Sequence, residues 1–201
     1  MKNMSKNSFW NDASRCGAIV GVVHALFACL GLCFQSMSLL ISLVALVAQI
    51  WLLARYTSRR SALFAKEGFS YAQSLGFIVS MGFFAGIVSG AYEIIASNFL
   101  FTATYETNLN NILAVYSQLG TFDNAAIDSM SKLYRSMLFS PVPVLLTQIF
   151  SLVLSYGFYG LFISIGTKRE PDIFEQDSIT ISEAETNDKQ NDSETSETDR
   201  K

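Results

Sequence analysis

GFFAGIVSGAYEIIASNF, at Gly82–Phe99, is an apolar segment in which glycine recurs at every fourth position. Gly82, Gly86 and Gly90 share one face of a helix, and Glu93 follows on that face. Glycine weakens a helix in water, but in lipid small residues let helix backbones approach closely, and close packing drives helix association. The pattern therefore predicts a membrane-spanning helix whose small-residue face, with its acid, lies against another helix.

Four long apolar runs of this kind lie within residues 1–169. Each reaches the roughly 20 residues that cross a hydrocarbon core of ~30 Å. A soluble all-α protein is the alternative, but four such runs would then need polar partners, and residues 1–169 offer almost none. We therefore expect an all-α fold, an integral membrane four-helix bundle with helices near residues 16–34, 37–56, 74–101 and 142–166.

Charge divides the chain into two parts. Residues 170–201 carry eleven of the seventeen acidic residues and only three of the fourteen basic ones. Such a polar segment cannot bury enough apolar surface to order itself. We expect a membrane domain at residues 1–169 and a disordered acidic cytoplasmic tail at 170–201, which leaves open a docking role for a basic partner.

Basic residues predict the orientation of the bundle. Nine of the eleven bases in residues 1–169 precede the first run, lie between the second and third runs, or follow the fourth. These three regions share one side of the membrane, and cytoplasmic loops carry the excess of Lys and Arg. We expect a protein of the bacterial inner (cytoplasmic) membrane with both termini in the cytoplasm.

Residues 102–141, between the third and fourth runs, have a helical pattern of their own. Apolar residues recur at spacings of three and four in two stretches that Gly120–Thr121 separates, and either Thr121 or Asp123 can cap the second helix. This pattern predicts an outer amphipathic helical hairpin. Its apolar positions are Leu109, Ile112, Leu113, Tyr116 and Leu119, then Met130, Leu133, Tyr134, Met137 and Leu138.

A second small-residue pattern lies in the first run. Gly17, Gly21 and Ala25 recur at every fourth position, which forms a shallow groove along one face of a helix. We expect the first and third helices to pack closely, with this groove against the glycines of the third.

Four polar side chains lie inside the predicted spans: His24, Gln49, Glu93 and Gln148. At a rise of 1.5 Å per residue, counted from the ends of the apolar runs, His24 and Gln49 lie about 12 and 10 Å from the inner edge, whereas Glu93 lies about 28 Å from it. Gln148 and its neighbour Thr147 lie near the depth of Glu93. Depth therefore predicts that His24 pairs with Gln49, and that Glu93 pairs with Gln148 or Thr147.

The role of the two ionisable side chains follows from the same depths. An ionisable group inside a membrane is often functional in proton or ion coupling. His24 and Glu93, however, lie about 16 Å apart in depth by the same helical rise, without a second carboxylate to complete a relay. The sequence favours structural hydrogen bonding for both and leaves transport chemistry open.

Catalytic and metal-binding patterns are absent from the sequence. Cys29 and Cys33 share a helix face, but Cys16 is far below them and the single histidine, His24, cannot complete a zinc site or a catalytic triad. We expect a protein that is not an enzyme and has no cofactor, metal or nucleic-acid partner. Its expected partners are the lipid bilayer and either a second copy of the chain or another membrane protein. Two functions remain, a non-enzymatic assembly or accessory protein and a small transporter or channel subunit acting as a homo-oligomer.

Five motifs are spread over residues 1–169: SFWNDASRCG (Ser8–Gly17), YAQSLGFIVSMGFFAGIVSG (Tyr71–Gly90), SNF (Ser97–Phe99), YE (Tyr105–Glu106) and FSP (Phe139–Pro141). Together they resemble a family of small bacterial membrane proteins known as domain of unknown function 4199. The resemblance implies a four-helix membrane architecture. It brings no known substrate, cofactor or catalytic residue.

Overall fold

The computed structural model describes residues 8–64, 67–118 and 123–169. Within these ranges six α-helices follow one another: α1 (Phe9–Cys33), α2 (Ser38–Ala62), α3 (Tyr71–Ile95), α4 (Thr102–Gln118), α5 (Asn124–Phe139) and α6 (Pro141–Thr167). A π-helical turn at Ala96–Leu100 extends α3. Four of the helices, α1, α2, α3 and α6, are long and apolar enough to cross a membrane. The predicted all-α fold is confirmed, and the predicted tail at 170–201 lies outside the described residues.

Two helices are longer than the apolar runs that predicted them. α1 begins at Phe9 rather than near residue 16, and α2 ends at Ala62 rather than near residue 56. Charged residues end an apolar run, but one acid of the α1 extension and one base of the α2 extension form an ion pair inside the bundle. Arg60 Nη1 donates to Asp12 Oδ2 at 2.8 Å. Because this pairing offsets the cost of burying either charge alone, both helices continue past the end of the apolar run.

α3 is the central helix, with α1 against one face and α6 against another. We call the end of the bundle where α1 begins and α6 ends the basal end, and the end that carries α4 and α5 the hairpin end. The core lies in the basal half and the middle of the bundle, where side chains of four helices are buried together. They include Val20, Leu53, Phe77, Met81 and Tyr156.

The basal end is joined by hydrogen bonds between segments far apart in sequence. Ser61 Oγ donates to the carbonyl oxygen of Thr167 at 2.7 Å, and Ser74 Oγ lies 2.7 Å from Thr167 Oγ1. Beside them, Phe69 and Arg169 exchange backbone hydrogen bonds of 2.9 and 3.0 Å. The ends of α2 and α6 and the start of α3 are therefore fastened together.

α4 and α5 form the predicted helix pair at the other end. Asp123 caps α5, since its Oδ1 accepts a hydrogen bond from the backbone N–H of Ala126 at 2.7 Å. Asp123 is one of the two caps expected, and Thr121 lies outside the described residues. Arg135 Nη1 of α5 lies 3.2 Å from Glu106 Oε1 of α4, which joins the two helices at the surface.

Candidate functional site: a polar cavity within the bundle

The glycine stripe of α3 faces α6. A Cβ on Gly86 would lie 2.6 Å from the Cα of Ile149, and a Cβ on Gly82 would lie 3.2 Å from the carbonyl oxygen of Leu152. Gly90 lies against the same helix. The close backbone approach is as predicted, but the prediction that this stripe lies against the first helix is wrong.

α1 packs closely on a different face of α3. A Cβ on Gly17 would lie 2.6 Å from the carbonyl oxygen of Met81, and a Cβ on Gly21 would lie 2.8 Å from that of Ala85. Ala25 continues this register and is half-buried. The predicted contact of the first and third helices is therefore present, with its glycines supplied by α1. Each contact residue of α3 directly precedes a stripe glycine, so the two faces lie about 100° apart on a helix of 3.6 residues per turn.

These contacts set the relative height of α1 and α3. Gly17 lies against Met81 and Gly21 lies against Ala85, so both pairs have the same separation in sequence. The same separation places His24 level with Val88. Glu93 lies five residues further along α3, or about 8 Å at the helical rise. The separation expected from the sequence is too large, because α1 begins at Phe9 and the depth of His24 was counted from a later start.

The predicted pair of His24 and Gln49 is present. Gln49 Nε2 lies 3.0 Å from His24 Nδ1, and Gln49 Oε1 accepts a hydrogen bond from the Tyr156 hydroxyl at 3.2 Å. The amide nitrogen is thus the group that donates to Nδ1. A neutral imidazole that accepts at Nδ1 carries its proton on Nε2, which remains a donor. Side chains from α1, α2 and α6 together fix the orientation of this ring.

Glu93 has a different partner from the one predicted. The Tyr105 hydroxyl donates to Glu93 Oε1 at 2.6 Å, and no hydrogen bond within the described ranges joins Glu93 to Gln148 or Thr147. Gln148 instead lies beside Gly90: a Cβ on Gly90 would lie 3.4 Å from the Cβ of Gln148. The prediction compared depths only along the apolar runs. Tyr105 belongs to α4, which lies outside those runs, so the comparison could not find it as the partner of Glu93.

Tyr105 is the site residue that sequence reasoning missed. It lies in the first turns of α4, which starts directly after the π-helical turn at Ala96–Leu100. Burial, and then the neighbouring Glu93 carboxylate, raise the pKa of Tyr105, so its phenol stays protonated and able to donate. The signal for it was the YE motif, which served only in the family resemblance.

A cavity of about 750 Å³ lies between the hairpin-end parts of α1 and α2 and the middle of α6, beneath α4. His24 and Glu93 both line it. Among the described residues its wall contains neither Lys nor Arg. The wall also includes residues with hydroxyl and amide groups, among them Ser38, Ser42, Ser151, Ser155 and Asn108.

Towards the basal end, the last residues that line the cavity are Gln49 on α2 and Tyr159 on α6. Beyond these residues, the space between the helices is filled by Leu53, Tyr56 and Phe77, all of which are buried. Hydrogen bonds and the Asp12–Arg60 pair then hold the basal end together. The site is therefore one-sided, open to polar groups in the hairpin half and packed in the basal half.

The Asp12–Arg60 pair is a second polar feature that the sequence reasoning missed. The side chains are 8 % and 3 % exposed, and the Arg60 guanidinium lies 5.1 Å and 5.0 Å from the ring centroids of Phe9 and Phe77. Aromatic faces attract a cation at such distances. In the sequence, Arg60 is one of the nine bases that predict the orientation of the bundle. The signal for its role was Asp12, the one acid ahead of the first apolar run.

In the described part of the chain, no three His, Cys, Asp or Glu side chains come together as metal ligands. Comparisons with protein-family models, with curated proteins and with solved structures find no match to this chain. The four apolar helices are compatible with a multi-pass membrane protein. Any finer function has to be argued from the cavity and the packing around it.

Proposed function

We propose that this protein is a non-enzymatic assembly or accessory protein of a bacterial inner membrane, with both termini in the cytoplasm. The one-sided cavity supports this proposal. Within the described residues, the polar wall of the cavity lies in the hairpin half and the middle of the bundle, whereas the basal half is filled by apolar side chains and by polar groups that pair with one another. A bundle with this arrangement can hold a molecule or a partner at one face without offering it a path across.

Membership of the domain of unknown function 4199 family is part of the same proposal. Three of the motifs that carry the resemblance contribute contacts within the bundle, and one of them, Tyr71–Gly90, supplies the glycines that lie against α6. Asp12 of the first motif pairs with Arg60, and Tyr105 of the YE motif binds Glu93. Residues that hold helices together are those on which a family of bundles would depend.

The accessory role is tested by purifying the full chain in a mild detergent and weighing what accompanies it. We expect a defined complex with a different membrane protein. Leu133 and Met137 of α5 are exposed apolar side chains outside the four long apolar helices, so Leu133→Gln with Met137→Gln should release the partner. Ser136→Gln, on the same helix, is the matched control and should retain it. A chain that purifies alone or only with itself contradicts the proposal.

A second candidate is a small transporter or channel subunit that acts as a homo-oligomer. The observation that favours it is that His24 and Glu93, both ionisable, line one cavity in a membrane-spanning bundle. This function predicts a symmetric dimer and solute or proton flux into liposomes that contain the protein. Glu93→Gln should then abolish flux while the fold survives. Absence of flux from a reconstituted dimer would rule this candidate out.

A further inference from the structure

Glu93 presents an unbalanced charge to the cavity. Among the described residues its carboxylate makes one hydrogen bond, from Tyr105 to Oε1, and Oε2 has no protein donor. No Lys or Arg of the described chain lines the same wall. A partly buried anion is stabilised by a cation that pairs with it, and here the protein supplies none.

Donor groups lie deeper in the same cavity. With Nδ1 occupied by Gln49, the Nε2–H of His24 is left to donate, and it is about 8 Å from the level of Glu93 along the helix axis at 1.5 Å per residue. The hydroxyls of Ser151 and Ser155 line the space at the α6 side. The cavity thus offers an anion at its hairpin end and uncharged hydrogen-bonding groups below it.

We propose that this cavity binds a small solute that carries a protonated amino group and, several ångströms away, a hydrogen-bond acceptor. The ammonium pairs with the Glu93 carboxylate, which Tyr105 holds in place, and the acceptor receives the Nε2–H of His24. The volume of about 750 Å³ falls within the roughly 300–1,000 Å³ of small-molecule sites. Anions are excluded, because the wall offers them a carboxylate and no cation. This inference goes beyond the accessory role and does not depend on it.

The charge requirement is tested with three solutes of matched length: 4-aminobutan-1-ol, butane-1,4-diol and 4-hydroxybutyrate. At neutral pH they are a cation, a neutral molecule and an anion. Each is titrated into the purified full chain while its melting temperature is followed. We expect a saturable rise in melting temperature with the aminoalcohol alone. An equal or larger rise with the diol or the hydroxy acid, or no rise with any of the three, would overturn the proposal.

The role of Glu93 is tested in the same titration. Glu93→Gln keeps the side chain's size and an acceptor for Tyr105 but removes the charge, so affinity for the aminoalcohol should fall by roughly tenfold or more, as expected when a charge-assisted contact is lost. Glu93→Asp keeps the charge and should retain the preference for the cation. Glu106→Gln is the matched control, because that acid is 46 % exposed, pairs with Arg135 and lies outside the cavity wall.

The outcomes of these variants are separable from a folding defect and from the accessory role. Size-exclusion chromatography and the melting temperature without solute report the fold of each variant. An unchanged affinity in folded Glu93→Gln, or the same loss in Glu106→Gln, would overturn the proposal. Partner release is measured on a different surface, at Leu133 and Met137, so either idea can fail without the other.

Discussion

Single glycines decide how closely α3 approaches its neighbours. A Cβ on Gly86 would lie 2.6 Å from the Cα of Ile149, a backbone atom that cannot rotate away. A Cβ on Gly76 of the same helix would meet nothing within 4 Å. The same substitution at both positions therefore separates the effect of packing from the intrinsic preference of the helix for alanine.

Gly86→Ala should lower the free energy of unfolding by about 1–3 kcal/mol, the usual scale of overpacking. Gly76→Ala should leave it unchanged or raise it by up to about 1 kcal/mol, since alanine favours a helix over glycine. Thermal unfolding in detergent measures both. Gly86→Leu should disrupt the bundle. Ile87→Leu, at an exposed position, should have only a mild effect on stability. Equal tolerance of Gly86→Ala and Gly76→Ala would contradict the close contact.

Arg60 should behave differently from its neighbour Arg59. Arg60→Met leaves Asp12 buried without its cation and should cost about 3–5 kcal/mol of unfolding free energy. Arg59 is exposed, so Arg59→Met should cost little. Replacing the whole pair, with Asp12→Leu and Arg60→Met, should recover most of the loss, because apolar side chains then fill the site without an unpaired charge. A double variant no more stable than Arg60→Met would count against this account.

At the scale of elements, a hydrogen bond from Tyr105 joins the first turns of α4 to Glu93 of α3. Tyr105→Phe keeps the ring but removes the hydroxyl that binds Glu93, so the first turns of α4 should open more often. Hydrogen exchange of the α4 amides should become faster while the core of α3 is unaffected. Tyr71→Phe is the control at the basal end, where its hydroxyl lies 3.4 Å from the carbonyl oxygen of Leu161. Unchanged exchange in α4 would mean that packing alone holds it.

The apolar runs predicted which elements form, and their errors at the basal end explain which contacts could be predicted. α1 and α2 both extend beyond the expected inner edge by nearly the same length, so His24 and Gln49 shift together and their predicted pairing survives. α3 extends less, so the height of Glu93 relative to His24 was misjudged. The predicted helix ends were set where charged residues interrupt the apolar runs. The pairing of Asp12 with Arg60, which lies beyond those ends, can be recognised only once both helices are placed in the bundle.

The partner of the glycine stripe could not be predicted for a different reason. Small residues specify a close approach without specifying the neighbour, since any helix backbone fits against them. α3 has two contact faces, one at Met81 and Ala85 and another at the glycines that follow them. Nothing in the spacing says which face takes α1 and which takes α6.

At the scale of the whole molecule, the proposed orientation makes a simple prediction. A reporter that is active only outside the cytoplasm should be active when fused after Ser117, in α4, and silent when fused after Lys189. The reason is the excess of bases in the regions that lie on the basal side. The reverse pattern of activity would invert the proposed topology and would place the hairpin end on the cytoplasmic side.

The position of α3 between α1 and α6 has a consequence for the way the chain is made. Synthesis delivers α1, α2 and α3 first, and α6, which fits the glycine stripe, comes only after α4 and α5. At about 5–20 residues per second, the ribosome needs roughly 4–14 seconds to reach the end of α6 from the end of α3. During that interval the stripe of the nascent chain lacks its partner helix. An insertase or a quality-control protease therefore has several seconds in which to bind the half-built bundle.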